Sequence, residues 1–165
     1  MYYDYLDSPI GRMVLVGDGA SLVQVGLPDS RRPLAIAAGW RRDAAPLATA
    51  RLQFEAYFDG GLTAFDLALA PRGSDFQCRV WAALCEIPYG TTISYGELAK
   101  RIGNPNASRA VGLANGANPL AIVVPCHRVI GANGSLTGYG GGLPAKEFLL
   151  ELERRHVAAV PFALS

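Results

Sequence analysis

A cysteine and a histidine stand side by side in the segment Pro125-Cys126-His127-Arg128-Val129, directly after the apolar run 121–124. A cysteine that ends a buried strand is normally an inert, neutral thiol, because an apolar surrounding opposes formation of the thiolate. A neighbouring imidazole can accept the thiol proton and then stabilise the anion as a cation. The pair Cys126–His127 therefore allows nucleophilic chemistry on a sulfur atom, although such a pair by itself is more often structural.

The geometry of an extended chain limits how this pair can act. Adjacent side chains of a strand point to opposite faces, so we expect a water molecule to connect Cys126 to His127. The imidazole also needs a third group that fixes its tautomer and stabilises its cation. Glu151 and Glu153 are acids on the last predicted helix, and the residues themselves do not choose between them.

Turn residues divide the N-terminal part of the chain into short strands and one helix. Gly17-Asp18-Gly19 between two apolar stretches predicts a hairpin, and residues 28–45 read as a solvated loop. This loop contains four arginines whose role the sequence leaves open, at Arg31, Arg32, Arg41 and Arg42. The predicted elements are strands Tyr2–Leu6, Met13–Val16, Leu22–Leu27 and Phe65–Leu69 and a helix Leu47–Phe58.

Helical patterns dominate after a boundary at Pro71-Arg72-Gly73. Ser94 and Glu97 have capping-box spacing at the start of a short helix, Tyr95–Ile102. Asn104-Pro105 then predicts the cap and the first residue of a second helix, which ends near Gly116, and two short helices joined by a turn predict a helix-turn-helix. The remaining predicted elements are a helix opened by Ser74 or Asp75, a strand 121–124 and a helix Pro144–Arg155.

These elements predict an α+β fold in two parts. A small β-rich N-terminal domain at residues 1–71, an antiparallel sheet plus a helix, packs on a mostly helical domain at residues 72–165 that contains the helix-turn-helix. The chain has 165 residues, of which half are hydrophobic and 18% are charged. That composition is sufficient for a shared core and excludes a disordered protein.

Charge and cysteine content narrow the class of protein further. The net charge is +1, but residues 72–130 carry 6 basic and 3 acidic side chains. This modest local excess attracts a polyanion, although charge alone favours ordinary surface charge as its explanation. The three cysteines form no C-x-x-C pair, which argues against a disulfide framework or a zinc ribbon. No apolar run approaches the ~18 residues of a membrane span, so we expect a soluble, cytoplasmic protein without a membrane partner.

The residues around Cys126 resemble those of the O6-alkylguanine-DNA alkyltransferases, and the likeness extends from Phe76 to Glu153. The shared segments keep their order and spacing, which makes the set far more specific than any one segment. They are Ile87-Pro88-Tyr89-Gly90-Thr91, Ser94-Tyr95-Gly96, Arg109-Ala110-Val111-Gly112, Asn118-Pro119, Pro125-Cys126-His127-Arg128-Val129-Ile130-Gly131 and Gly138-Tyr139-Gly140-Gly141. The N-terminal half resembles the family's β-rich domain more loosely.

The resemblance implies a catalytic set. It makes Cys126 the alkyl acceptor, which His127 activates through water. Glu153 is implied as the acid that orients His127, with Glu151 facing solvent. Asn118 is implied to brace the turn that holds the cysteine segment.

The resemblance also implies how DNA is held. Tyr95 offers its hydroxyl to the flipped base as the guanine departs, and Arg109 fills the space that the base leaves in the duplex. Small residues on the second helix, namely Ala110, Gly112 and Ala114, permit a close approach to the minor groove. The implied contacts to the DNA backbone are Asn104 and Ala132, and the implied base pocket contains Val129, Tyr139 and Gly140.

The function implied is that of a DNA repair protein with methyltransferase activity. It flips O6-alkylguanine, and more weakly O4-methylthymine, out of duplex DNA and moves the alkyl group irreversibly to Cys126. No cofactor or metal is implied, and we expect a monomer in solution, with cooperative binding on DNA left open. There are three alternatives. A silent sensor of alkylated DNA lacks the acceptor cysteine, and a cysteine hydrolase does not explain the Arg109 helix. The third is a DNA-binding regulator with Cys126 in its core.

Overall fold

Four short strands form the sheet of the N-terminal half. The computed structural model describes residues 1–136 and 138–157, and its strands β1 (Tyr2–Ser8), β2 (Gly11–Gly17) and β3 (Leu22–Gly26) pair antiparallel, as predicted. Met13 and Leu15 of β2 are completely buried, as expected for alternate residues of a sheet that is covered on one face.

The sheet differs from the prediction at its two edges. A two-residue strand β4 (Arg41–Arg42), inside the predicted loop, pairs in parallel with β1 and gives the order β3-β2-β1-β4. The predicted strand Phe65–Leu69 is wrong, because among the described residues it pairs only through a single bridge to Leu22. The backbone of Asp66 instead bonds the Gln53 side chain, whose amide donates to the Asp66 carbonyl and whose oxygen accepts from the Asp66 N–H.

Helix α1 (Ala48–Phe58) supplies aromatic residues to the core between the two halves. Phe54 and Tyr57 are buried, and the ring centroid of Phe65 lies 5.0 Å from that of Phe54 and 5.5 Å from that of Tyr57. The same hydrophobic cluster continues into the C-terminal half through Leu84 and Leu149. The two halves therefore share one core rather than meeting at a solvated linker.

Helices dominate the C-terminal half of the described chain, which confirms the α+β class. They are α2 (Asp75–Leu84), α3 (Tyr95–Arg101), α4 (Ser108–Gly116) and α5 (Leu143–Val157). A capping box of Ser74 and Gln77 starts α2, and Trp81 of that helix donates its indole N–H to the Ala114 carbonyl of α4 at 2.8 Å. Residues 158–165, which belong to the predicted C-terminal domain, lie outside the described residues.

Helices α3 and α4 pack on each other as a helix-turn-helix. The Ser94 side chain caps α3 by accepting from the Glu97 N–H at 3.0 Å. The predicted start of α4 is wrong, because Asn104 begins a β-turn that the Ala107 N–H closes on the Asn104 carbonyl at 3.0 Å. Pro105 takes the second position of this turn, which suits its fixed φ, and α4 begins at Ser108.

A pair of two-residue strands joins the helix-turn-helix to the segment that contains the cysteine. Strand β5 (Ile93–Ser94) pairs in parallel with β6 (Val129–Ile130). Tyr95, the first residue of α3, follows β5 directly, and Cys126 lies three residues before β6. The pairing therefore holds Tyr95 in the neighbourhood of the thiol.

Residues 1–136 and 138–157 contain neither a helix suited to cross a membrane nor a cluster of metal-ligand side chains. None of the helices combines the length and hydropathy that crossing a bilayer requires. No three His, Cys, Asp or Glu side chains in these ranges are grouped as metal ligands would be.

Candidate active site

A tight buried turn, not the predicted strand, leads into Cys126. The Val124 N–H bonds the Leu120 carbonyl at 2.9 Å, and Ile122 adopts a φ of +75°, which is strained for a β-branched residue. The Asn118 carboxamide holds this turn, because it donates to the Val124 carbonyl at 2.8 Å and accepts from the Leu120 N–H at 2.9 Å. Hydrophobicity alone does not distinguish such a turn from a short strand.

Cys126 is the first residue of a 3-10 helix, Cys126–Arg128, and only 5% of its surface is exposed. Burial raises the pKa of the Cys126 thiol, because it disfavours the charged thiolate. A hydrogen bond from the Asn118 carboxamide and the positive charge of Lys146 act in the opposite direction. The resting thiol is therefore neutral, but groups that stabilise its anion already surround it.

The His127 ring is completely buried, and its Nε2 lies 2.6 Å from Glu153 Oε2. Burial acts to raise the pKa of the Glu153 carboxyl, but hydrogen bonds and charges from His127 and Arg128 outweigh it and lower that pKa to about 2. An ionised carboxylate only accepts hydrogen bonds, so Nε2 carries the hydrogen. Burial lowers the pKa of His127, which leaves a neutral ring with a basic Nδ1. This Nδ1 is buried and bonds none of the described residues.

Both halves of the chain hold Glu153 in place. Arg128 donates from Nε to Oε1 at 2.8 Å and from Nη2 to Oε2 at 3.0 Å, and the Gly90 N–H donates at 3.1 Å. Tyr57, on α1 of the N-terminal half, donates its hydroxyl to Oε2 at 2.7 Å. Together with His127, these donors satisfy a buried charge that would otherwise be strongly destabilising.

Glu151 and Glu153, the two candidate partners of His127, differ in their exposure to solvent. Glu151 accepts from Arg154 Nε at 3.0 Å on the solvent side of α5. Glu153 points inward, together with Lys146 and Leu149, because spacings of three and seven residues share one face of a helix. Of the two acids, Glu153 is the one that bonds His127.

Three residues of this site were missed by the sequence reasoning. Lys146 is completely buried and donates Nζ to the Val129 carbonyl at 2.7 Å. Its shared face with Glu153 on α5 was a usable signal. Arg128 stands inside the cysteine motif but carries no local sign that it pairs with an acid on α5. No local pattern marks Tyr57 either, since its partner lies 96 residues further along the chain.

A cavity of about 330 Å³ opens beside α4, within the usual range of small-ligand sites. Tyr95, Tyr139 and Gly140 line this cavity, whereas Val129 is completely buried and is not among its lining residues. The Tyr139 hydroxyl makes no hydrogen bond of good geometry with the described residues, but it lies close enough to the Cys126 sulfur to favour the thiolate. Tyr139 therefore lines the cavity and also lies in the immediate surroundings of the sulfur atom.

The three residues expected to contact the DNA outside the cavity are all exposed. Arg109 lies in the first turn of α4, Asn104 in the turn before this helix, and Ala132 in the loop after β6. None of the three lines the cavity. The structure therefore leaves all three residues accessible to a partner but outside the cavity wall.

The small residues of α4 do not all face outward. Ala110 is exposed and Gly112 borders the cavity beside Tyr95. The expected place of Ala114 at the DNA-facing surface is wrong, because this residue is buried and its carbonyl accepts from Trp81. Leu113 is the exposed residue there, at 73% of its surface.

Comparisons with known proteins agree with this geometry. The family model described as the ribonuclease-like domain of 6-O-methylguanine DNA methyltransferase matches residues 1–71, and the model of the DNA binding domain of the same family matches residues 75–155. A methylated-DNA–protein-cysteine methyltransferase of Methanosarcina acetivorans is 56% identical over 153 residues, which cover 93% of this chain and 98% of the relative. One of Mycolicibacterium paratuberculosis is 56% identical over 157 residues, which cover 95% and 94%.

A solved structure shares both the fold and much of the sequence. The crystal structure of Mycobacterium tuberculosis OGT in complex with DNA superposes with a TM-score of 0.89 at 52% identity and covers 94% of each chain. The structure of an O6-methylguanine DNA methyltransferase from Methanococcus jannaschii superposes with a TM-score of 0.65 at 28% identity, covering 92% of this chain and 93% of that one. On this combined agreement of sequence and structure, the chain belongs to the 6-O-methylguanine DNA methyltransferase family.

Proposed function

We propose that this chain repairs DNA by transferring the alkyl group from O6 of an alkylated guanine to the sulfur of its own Cys126. The observation that carries this function is the buried Glu153–His127 pair, which leaves a neutral imidazole with a basic nitrogen in the residue next to the thiol. Relatives named for transfer from methylated DNA to a protein cysteine share 56% of their residues with this chain.

The reaction begins with removal of the thiol proton. His127 Nδ1 accepts this proton through a water molecule, and the Glu153 carboxylate at 2.6 Å stabilises the resulting imidazolium. The charge of Lys146 and the Asn118 amide stabilise the thiolate, which is the nucleophile.

Alkyl transfer is then a single displacement at carbon. The sulfur attacks the alkyl carbon, the S–C bond forms as the C–O6 bond breaks, and the electron pair of the broken bond stays on the guanine. A hydrogen bond from the Tyr95 hydroxyl stabilises the guanine as it leaves, and the proton taken up by His127 balances its charge. The guanine anion then takes up a proton from water and His127 returns its extra proton to water, so the products are an S-alkylcysteine at position 126 and an unmodified, neutral guanine.

The sulfur can reach this carbon only if the nucleotide leaves the base stack. The cavity lined by Tyr95, Tyr139 and Gly140 is the place for the extruded base. Arg109 enters the duplex from α4 and occupies the gap, which offsets part of the few kcal/mol that unstacking costs. We place α4 in the minor groove, where readout is degenerate and a lesion can be found in any sequence. Asn104 and Ala132 contact the DNA backbone on either side.

The product sets the number of turnovers. An S-alkylcysteine is a thioether, and its carbon–sulfur bond is not cleaved by the acid–base pair that formed it. Each chain therefore acts once, on O6-alkylguanine and more weakly on O4-methylthymine. We further propose that the chain acts as a monomer in the cytoplasm, where thiols stay reduced.

Intact-protein mass spectrometry after incubation with a duplex that contains one O6-methylguanine tests this function. We expect the mass to rise by one methyl group, located on Cys126 by peptide analysis, and we expect no rise in Cys126→Ser. The matched control is Cys78→Ser, because Cys78 is an exposed cysteine on α2 and its loss should leave the methyl transfer intact.

Each competing function predicts a different result. A silent sensor binds the duplex without any change in mass, and a hydrolase turns over an ester or amide substrate. A DNA-binding regulator with a structural cysteine leaves O6-methylguanine in the duplex. With excess methylated duplex, more than one guanine restored per chain would refute the single-turnover reaction.

A further inference from the structure

We propose that Arg31 and Arg32 of the N-terminal half form a phosphate-binding site that holds the two phosphodiesters flanking the flipped nucleotide. This site rests on the proposed function, because it requires that a nucleotide enters the cavity beside α4. It assigns DNA contacts to a domain whose overall charge is unfavourable for DNA, with 8 acidic and 6 basic side chains in residues 1–71.

The position of the two arginines is fixed by the segment that carries them. This segment, residues 27–34, is called here the arginine loop. The Arg31 N–H bonds the Gly140 carbonyl at 2.9 Å, which ties the loop to the glycine-rich wall of the cavity. The loop also packs closely on both of its sides, because a Cβ at Gly26 would lie 2.9 Å from Leu34 Cβ and a Cβ at Gly141 would lie 2.5 Å from Leu27 Cδ1.

Both arginines line the same cavity as Tyr95 and Tyr139. Arg31 and Arg32 are exposed whereas Tyr139 is buried, so the guanidinium groups stand at the mouth and the tyrosine at the inner end. Among residues 1–136 and 138–157, no carboxylate lies within ion-pair distance of either guanidinium. Two adjacent cations without a counter-charge favour an anionic ligand at this mouth.

The chemistry of a flipped nucleotide supplies that anion. An extruded base stays covalently linked through its sugar to a phosphodiester on each side, so a base inside the cavity brings two negative charges to its mouth. Guanidinium groups bind phosphate oxygens in a bidentate manner, which suits arginine better than lysine for this task. Arg109 of α4 inserts into the duplex, whereas the arginine loop contacts the backbone of the DNA strand that carries the flipped nucleotide.

The test is a binding and kinetic comparison of the full chain with its Arg31→Gln/Arg32→Gln variant on an O6-methylguanine duplex. We expect about tenfold weaker binding and a slope of log K against log salt concentration that is shallower by about 1.8, because each phosphate contact contributes about 0.9. The duplex concentration at half-maximal transfer rate should rise while the maximal single-turnover rate constant stays unchanged. Arg31→Lys/Arg32→Lys should recover most of the salt slope.

The matched control is Arg72→Gln. Arg72 is an exposed arginine outside the arginine loop, and its charge acts on Asp18 in the β2–β3 turn. We expect its binding to stay within twofold of the unmodified chain. A second arm replaces the two phosphates that flank the lesion by neutral methylphosphonates. The unmodified chain should bind that duplex about tenfold more weakly than the normal duplex. The double glutamine variant should bind the two duplexes equally, because the change in the DNA and the change in the protein remove the same contacts.

The outcomes separate the two proposals. If the unmodified chain takes up no methyl group, the proposed function fails. If it is methylated but the double glutamine variant keeps the same affinity and salt slope, the phosphate site is wrong. A lower maximal rate with an unchanged salt slope also overturns the site, because it would show that the arginines merely shape the cavity.

Discussion

Among the described residues, the Tyr57 hydroxyl is the one side-chain group of the N-terminal half that bonds Glu153, and Tyr57→Phe removes this contact alone. The ring of Tyr57 is 1% exposed and keeps its aromatic neighbours Phe58 and Phe65 in the variant. A hydrogen bond to a charged group contributes about 1.5–3 kcal/mol. We expect the free energy of unfolding to fall by about 2 kcal/mol, and the melting temperature by roughly 4–8 °C for a chain of this size.

The effect on alkyl transfer should be much smaller than the effect on stability. Glu153 keeps its bonds to His127, Arg128 and the Gly90 N–H, so the tautomer of His127 does not change. We expect less than a fivefold loss in the single-turnover rate constant with methylated duplex, against a far larger loss in Glu153→Gln.

Urea unfolding and single-turnover kinetics, measured on the same preparations, test this reasoning. Tyr2→Phe is the matched control, because the Tyr2 hydroxyl forms no hydrogen bond with the described residues, and we expect its stability to be unchanged. If Tyr57→Phe unfolds at the same urea concentration as the unmodified chain, the buried bond to Glu153 contributes nothing and the structural argument for it is wrong.

Three further predictions concern charge, acid and packing. Lys146→Met removes a positive charge that lowers the pKa of the buried Cys126 thiol, so this pKa should rise. Alkylation of Cys126 by iodoacetamide at pH 7.5 should then slow by about tenfold or more. An unchanged alkylation rate across the pH range would contradict this role of Lys146. The folded pKa values of His127 and Glu153 both lie below their unfolded values, so the unfolded chain binds more protons in acid. The free energy of unfolding should therefore decrease as the pH falls below about 6.5, and by on the order of 3 kcal/mol more between pH 4.5 and 2. Urea titrations at pH 7, 5.5, 4 and 2.5 measure this, and equal midpoints would contradict it. Gly141→Ala places a Cβ 2.5 Å from Leu27 Cδ1 of the arginine loop and 3.1 Å from the Tyr139 ring, so both side chains must shift, and we expect the fold to be destabilised by about 1–3 kcal/mol in urea unfolding. Gly116→Ala, where a Cβ meets open space, is the neutral control, and equal destabilisation by both substitutions would rule out this packing.

Local sequence signals determined the parts of the fold in which neighbours along the chain interact. The β1–β3 meander, the Ser94 cap and the inner face of α5 follow from alternation, capping and helical spacing, and all three are present in the structure. The ordered motifs around Cys126 also sufficed to identify the family. The same signals misplaced the start of α4, since proline at the first helical position and proline in a β-turn have the same local sequence.

The tertiary structure alone decided the electrostatics of the site. The apolar run 121–124 fits a strand and a buried turn equally well, because either structure would be buried and therefore hydrophobic. Only the folded structure shows the turn that Asn118 holds together. The pairing of Arg128 and Tyr57 with Glu153, and the place of Arg31 at the mouth of the cavity, join residues that are far apart in the chain. Such contacts leave no pattern in a single sequence, since the free energy of a buried charge depends on which donors the completed core brings to it.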